Sequence, residues 1–382
     1  MRVRFLNGLR GIASIIVVFD HIAISFFPAA VDIDAPAHHS SLEWLVERTP
    51  LHLLVAGNFS VCIFFVLSGF VLSTKFFETK KNSVVVTMAI KRYFRLALPI
   101  LASVLLAYGL IRLHLFKNVE LSGQTGSLWL LRFWRTMPSF FGTLYHGLVG
   151  VFISGKSDEF NTVLWTMRLE LIGSFMVFAV LLAFGKSRFR ATLYILLGIL
   201  LVKSYLVAFL AGVVLSDYYV SASGKGTLSR LLSKGWWVLP LVVGLYLGSS
   251  PVDSLRSTPF QHLVLPAGLA VAMTMHIVGA ILLVGSLLYA KPIQRLLTRR
   301  SMVYLGDLSF GLYLTHIFIL GTFASYLFVH FSSLSYGVRF LVTIVPALLL
   351  MLGVAHLFTK YVDQQAIRLS QWIYEHRTRR VV

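Results

Sequence analysis

An arginine and a histidine stand inside one apolar stretch, Leu6-Asn7-Gly8-Leu9-Arg10 running on to Phe19-Asp20-His21. Their spacing is close to three turns at 3.6 residues per turn, which puts Arg10 and His21 on one helix face roughly 16 Å apart along the axis. An ionisable side chain costs about 2.5 kcal/mol or more at mid-bilayer, so such a pair marks a functional site by default. Histidine titrates near neutrality and can take a proton from a hydroxyl and return it to a leaving group, the work of acyl transfer. An arginine at a cavity mouth with a base deeper in fits an extended thioester whose phosphates stay at the membrane edge, the shape of acyl-coenzyme A. The competing accounts are an Arg10 that snorkels to headgroups and a His21 that only bonds a neighbouring helix. Asp20 points about 100° away from His21 and is expected to face another partner, on the acceptor side.

Further along the chain, Lys91, Arg92 and Arg95 extend the anion-binding theme. Arg92 and Arg95 share a helix face, and guanidinium groups grip phosphate in bidentate fashion; their alternative role is to set topology. Small residues in Phe65-Val66-Leu67-Ser68-Gly69-Phe70 let a ligand or another backbone come close, with Phe70 beside them. Leu164-Trp165-Thr166-Met167-Arg168-Leu169-Glu170 carries a carboxylate just inside a span. Glu170 is expected either to orient an acceptor hydroxyl, as a catalytic partner of His21, or to form a structural ion pair. Arg168 does not face it from two positions away. Ser309, Tyr313 and His316 are polar groups in another span and are expected to line the same cavity, whereas His276 and His356 read as interhelical bonds.

The elements that position these groups are membrane helices. The chain of 382 residues is 57% hydrophobic and 13% charged, with a mean hydropathy of +0.80, far from soluble composition. A net charge of +19 would suggest nucleic acid in a soluble protein. Here the cations lie in short loops between apolar runs, and nucleic-acid binding is set aside. Cys62 is the sole cysteine, so neither an intrachain disulfide nor a cysteine-based metal site is available, and no metal is expected.

Apolar runs at 9–30, 52–74, 96–113, 163–185, 203–220, 263–290, 304–330 and 339–361, with shorter ones at 191–202 and 236–249, predict an all-α bundle of about ten transmembrane helices in the lipid bilayer. Lysine and arginine concentrate at the N-terminus, in 75–95, 186–190, 221–235 and 291–300, and after 362. The opposite loops carry Arg48, Lys117, Arg132, Arg135, Lys156, Lys203, Arg256 and Arg339. Both termini are therefore expected in the cytoplasm. The segment 114–162, with Trp129, Trp134, Phe140, Phe141 and Tyr145, reads as an interfacial helix or as part of an acceptor site. One membrane domain, 1–362, and a short basic cytoplasmic tail, 363–382, complete the expectation.

Taken together these segments resemble the membrane-bound acyltransferase-3 family. The resemblance rests on Gly8-Leu9-Arg10-Gly11-Ile12-Ala13 leading to His21, the Phe65–Phe70 run, Arg92 to Arg95 followed by Pro99, Leu164-Trp165 with Glu170, and Leu305-Gly306 with Ser309, Tyr313, Leu314 and His316. It implies an acyl donor on the cytoplasmic side, usually acetyl-coenzyme A, and a hydroxyl acceptor on a sugar or surface glycan, in the plasma or bacterial inner membrane. His21 matches the family's proposed catalytic histidine, and Arg10, Arg92 and Arg95 match positions implicated in donor binding. In the mechanism this implies, the pantetheine arm passes Ser68-Gly69, and His21 acts as base or as acyl carrier. Two departures stand out: Phe310 takes the place of a common tyrosine, and no appended esterase-like extracytoplasmic domain is expected. A secondary transporter is the rival, since intramembrane Arg, His and Glu also mark substrate routes, but no paired halves are visible. A glycerolipid acyltransferase of the His-x4-Asp type lacks its motif here.

Overall fold

The computed structural model describes residues 4–32, 34–155, 159–221, 226–252, 255, 258–262 and 269–378, and side chains up to 375. Arg2, Lys156, Lys225, Arg256, Arg379 and Arg380, counted above among the loop cations, lie outside the described residues, as does 263–268 of the eighth expected span. Every regular element among the described residues is helical. The first third holds α1 (Arg4–Phe26), α2 (Ser41–Arg48), α3 (Gly57–Thr79), α4 (Asn82–Arg112) and α5 (Asn118–Thr125). Then come α6 (Phe140–Tyr145), α7 (Val151–Ser154), α8 (Trp165–Phe184), α9 (Arg190–Leu201), α10 (Leu206–Ser221), α11 (Thr227–Leu231) and α12 (Val238–Gly248). The last part comprises α13 (Val271–Leu287), α14 (Lys291–Leu297), α15 (Arg300–Ile319), α16 (Ser325–His330), α17 (Tyr336–Phe358) and α18 (Gln364–Thr378).

Among the described residues, six helical stretches are long and apolar enough to cross a bilayer: Arg4–Phe26, Gly57–Thr79, Asn82–Arg112, Thr162–Phe184, Arg300–His330 and Tyr336–Glu375. Two bent pairs, α11–α12 at 80° and α13–α14 at 96°, raise the number to eight if each is one span. Ten were expected. The shortfall lies in α9 and α10, whose 12 and 16 residues reach only about 18 and 24 Å at 1.5 Å per residue. The stretch 236–249 forms one limb of the bent α11–α12 pair. Large apolar side chains such as Ile172, Phe175, Leu341, Val345 and Leu349 stand exposed on the long helices, the surface a lipid-facing bundle presents.

Two apolar cores meet along α1. Its first half, through Phe5, Leu6, Leu9 and Ala13, packs with α3, α8, α10 and α13. The second half, through Val17, Val18, Ile22 and Phe26, packs with α4, α15 and α17. Close approach of α1 to α15 depends on Gly306, where a Cβ would overlap the Asn7 carbonyl. Asn7 also donates from Nδ2 to the Val303 carbonyl at 3.1 Å, locking the crossing.

A cap closes the end of the bundle near His21. Helix α2 starts on a capping box in which Ser40 and Glu43 satisfy each other's backbone N–H groups. It turns Glu43 and Glu47 inward and leaves Leu42, Trp44 and Leu45 exposed, the polarity of a helix lying on a membrane surface. The segment expected to be interfacial divides in two. Phe133 and Trp134 are buried, with Trp134 Nε1 donating to the Phe160 carbonyl at 2.8 Å, while Phe140, Phe141 and Tyr145 are exposed. Residues 363–375, expected as tail, continue the last helix through a π turn at Thr359–Asp363 and pack on α4, where Thr87 Oγ1 donates to the Tyr374 hydroxyl at 2.9 Å.

Candidate active site

Asp20 is drawn away from His21, as the helical geometry expects: its carboxylate lies against Gly57, the first residue of α3. A helix N-terminus, with its unpaired N–H groups, is a favourable place for a carboxylate. His21 itself meets His316 on α15, with Nδ1 of the first 3.0 Å from Nε2 of the second. Trp129, from the segment after α5, stacks on the His21 ring at 5.1 Å between centroids and 24° between planes. The segment is held there by Ser127 Oγ donating to the Ile24 carbonyl at 2.6 Å. Trp129 was legible only as an aromatic residue of an amphipathic stretch; its stacking needs the chain to fold back over α1.

Deeper in the bundle, His316 and Tyr313 are one turn apart, with ring centroids 6.4 Å apart. The Tyr313 hydroxyl donates to the Val163 carbonyl at 2.8 Å and meets Thr166 Oγ1 at 2.7 Å, which ties α15 to the start of α8. Asn161, which nothing in the sequence singles out, reinforces the same joint: its Nδ2 donates to the Leu314 carbonyl at 2.9 Å and to Ser103 Oγ at 2.7 Å. Ser309 spends its hydroxyl on its own helix, donating to the Gly306 carbonyl at 2.7 Å.

At the other end lies a charge cluster. Glu170 Oε1 accepts from Ser68 Oγ at 2.6 Å and from the Arg92 guanidinium. Arg92 Nε donates to Ser174 Oγ at 2.8 Å. Arg10 lies within electrostatic reach of Arg95, Glu170, Arg92 and Asp363. Three guanidinium groups thus share two carboxylates, an excess of positive charge suited to an anion. Arg10 does not snorkel outward but joins this cluster, and Arg92 is a largely buried partner of Glu170. Of the two accounts of Glu170, the geometry gives it an ion pair, and gives it to Arg92 rather than Arg168, which is exposed. Asp363 was missed because it fell in the expected tail.

Three sequence candidates stand elsewhere. Gly69 is taken up by a helix crossing: a Cβ there would overlap the Phe209 carbonyl of α10. Phe70 is fully buried and contacts Tyr219, 6.1 Å between centroids, within the core. Trp165 is half-buried and packs on Tyr205 at 5.8 Å. His276 bridges Asn58 Oδ1 at 2.9 Å and the Ser250 carbonyl at 2.8 Å, an interhelical link. His356 meets the Tyr304 hydroxyl at 3.0 Å.

In the cap, burial lifts the Glu47 carboxyl to about 7, helped by Asp32 and Asp34 and opposed by Arg48. Neither Glu47 oxygen accepts a hydrogen bond, and Arg48 Nε stands 3.8 Å away. Burial also lowers His52 to about 4.

Polar groups therefore follow one another along α1: the His21–His316 pair under Trp129, then Tyr313 and Thr166, then Glu170 with the three arginines. Residues 3–359 match a family model described as an acyltransferase domain. Among curated proteins the chain is similar to acyltransferase clz18 of Cochliobolus lunatus, 24% identical with 97% of this chain and 95% of the relative covered. It is also similar to acyltransferase R4 of Phoma sp., 24% identical with 97% and 95% covered, and to O-acetyltransferase PaAT-1 of Phomopsis amygdali, 25% identical with 98% and 85% covered. No solved structure matches.

Proposed function

The chain belongs to the acyltransferase-3 family and is a multi-pass membrane acyltransferase of the non-aminoacyl kind, and from that premise we propose that it moves an acetyl group from acetyl-coenzyme A to a hydroxyl of a sugar or glycan. The observation that carries this reading is the alignment along α1 of a guanidinium cluster and a histidine pair roughly 16 Å apart. Arg10, Arg92 and Arg95 bind the donor's phosphates, and the thioester arm runs past Ser68 toward His21. The acceptor enters from the side covered by the Trp129 segment and the α2 cap.

In the chemical step, His21 takes the proton of the acceptor hydroxyl as the oxygen attacks the thioester carbonyl. The carbon–sulfur bond then breaks, and the proton passes from His21 to the departing sulfur. The products are the O-acetyl ester and free coenzyme A.

Ten crossings with both termini in the cytoplasm of a plasma or bacterial inner membrane complete the proposal. Its support is that α9 and α10 form an antiparallel pair, closed at one end by Arg190 Nε donating to Asp217 Oδ2 at 2.5 Å. Tilted or locally thinned bilayer accommodates such short helices. Purified protein in proteoliposomes, given acetyl-coenzyme A and glycan acceptors, is expected to release free thiol in proportion to ester formed. Uptake of a solute with no thiol released would replace this reading with a transporter.

A further inference from the structure

We infer that His316 is a positioning residue that fixes which nitrogen of His21 is the base. This rests on the proposed acyl-transfer reading, in which His21 handles the proton. His316 Nδ1 lies 2.8 Å from the Leu312 carbonyl oxygen. A carbonyl only accepts, so this nitrogen carries the hydrogen and donates. A neutral imidazole has one N–H, which leaves His316 Nε2 with a lone pair.

That lone pair faces His21 Nδ1 at 3.0 Å. Two lone pairs do not face each other at that distance, so His21 Nδ1 carries its hydrogen and donates to His316. The Val17 carbonyl is a second acceptor for the His21 ring. The remaining lone pair of His21 is on Nε2, the nitrogen turned away from His316.

The Leu312 carbonyl, His316 and His21 thus form a directional chain in which each ring's tautomer is dictated by the group behind it. His316 is fully buried, and Trp129 lies over the His21 ring, so rotation of either ring would break a stack or a hydrogen bond. When His21 Nε2 accepts the hydroxyl proton, the ring becomes an imidazolium. Its Nδ1–H bond to His316 is then charge-assisted and strengthens as charge develops. On transfer of the Nε2 proton to the thiol sulfur, His21 is neutral again and His316 is unchanged. His316 touches neither donor nor acceptor and acts only through His21.

Three substitutions separate this role from packing. His316→Gln keeps an acceptor oxygen for His21 Nδ1–H, His316→Ala offers no partner, and His316→Lys offers only donors. In proteoliposomes the alanine variant is expected to lose about 10²-fold in kcat with donor KM unchanged. Glutamine is expected to recover about tenfold of that loss, and lysine none of it. An alanine variant at the wild-type kcat, or glutamine and lysine variants equally impaired, would overturn the assignment. Should the alanine variant fail to accumulate, the glutamine–lysine comparison decides. If the wild-type protein releases no thiol, the functional reading fails on its own. The tautomers are then tested by ¹⁵N-histidine shifts of the wild-type protein, where protonated Nδ1 and bare Nε2 on both rings are expected and any other pattern refutes the chain.

Discussion

Replacing Glu170 with glutamine removes the carboxylate on which Ser68 and Arg92 converge. The guanidinium left behind keeps its bond to Ser174 but loses its buried counter-charge, and Asp363 remains within reach of Arg10 and Arg95 only. Stripping one partner from a buried ion pair costs about 3–5 kcal/mol, whereas replacing both with apolar groups of similar size is often neutral. Glu170→Gln is therefore expected to lower the thermal midpoint of the detergent-solubilised protein markedly, and the double variant Arg92→Met with Glu170→Leu to recover most of it. Coenzyme A, a polyanion, supplies negative charge to the same cluster. At a hundredfold excess over its dissociation constant a ligand stabilises by about 2.7 kcal/mol, and the rise in midpoint on adding it should be larger in Glu170→Gln than in the wild type. It should be smallest in the double variant, which lacks Arg92 and keeps only Arg10 and Arg95. A Glu170→Gln protein that melts like the wild type, or a double variant that responds fully to coenzyme A, would refute the reasoning.

Other perturbations read different parts of the molecule. Glu47 has a folded-state pKa of about 7 against an ordinary value of 4.5, so the folded form holds that proton more tightly than the unfolded chain. Its effect on stability is absent below about pH 4.5 and grows increasingly unfavourable as pH rises toward 7. Glu47→Gln should raise the melting temperature at pH 8 and leave it unchanged at pH 4; equal shifts at both would contradict this. Gly306→Ala places a methyl against the Asn7 carbonyl and should cost about 1–3 kcal/mol, read as lost membrane abundance; normal accumulation argues against the tight α1–α15 crossing. Trp129→Ala should lower kcat by about tenfold through loss of the ring stacked on His21, with Trp129→Phe close to wild type; equal rates in all three would remove Trp129 from the site.

Much of the helical architecture was legible because membrane spans announce themselves through apolar length alone. Where the sequence misleads, the cause is geometry that composition does not carry. Residues 236–249 and 263–290 have span-like hydropathy, but sharp bends at the start of the first and the end of the second turn them into limbs of the α11–α12 and α13–α14 pairs, which hydropathy does not signal. Asp363 follows the last apolar run and so reads as tail, though a π turn carries the helix onward and buries it. The alignment of Arg10 with His21 follows from 3.6-residue periodicity and needs no tertiary information. Pairing of Arg92 with Glu170 does, because it joins positions 78 residues apart on different helices. Gly69 shows the opposite limit: a small residue next to a serine signals close approach, and the sequence does not say that the visitor is the α10 backbone rather than a thioester.

The account depends on His21 as the group that handles the acceptor's proton at the end of a donor path anchored by arginines. Thiol release from acetyl-coenzyme A by His21→Ala in proteoliposomes, measured alongside coenzyme A binding to the same sample, tests it most directly. Turnover lost with binding retained is the predicted result. Turnover close to that of the wild-type protein would contradict it.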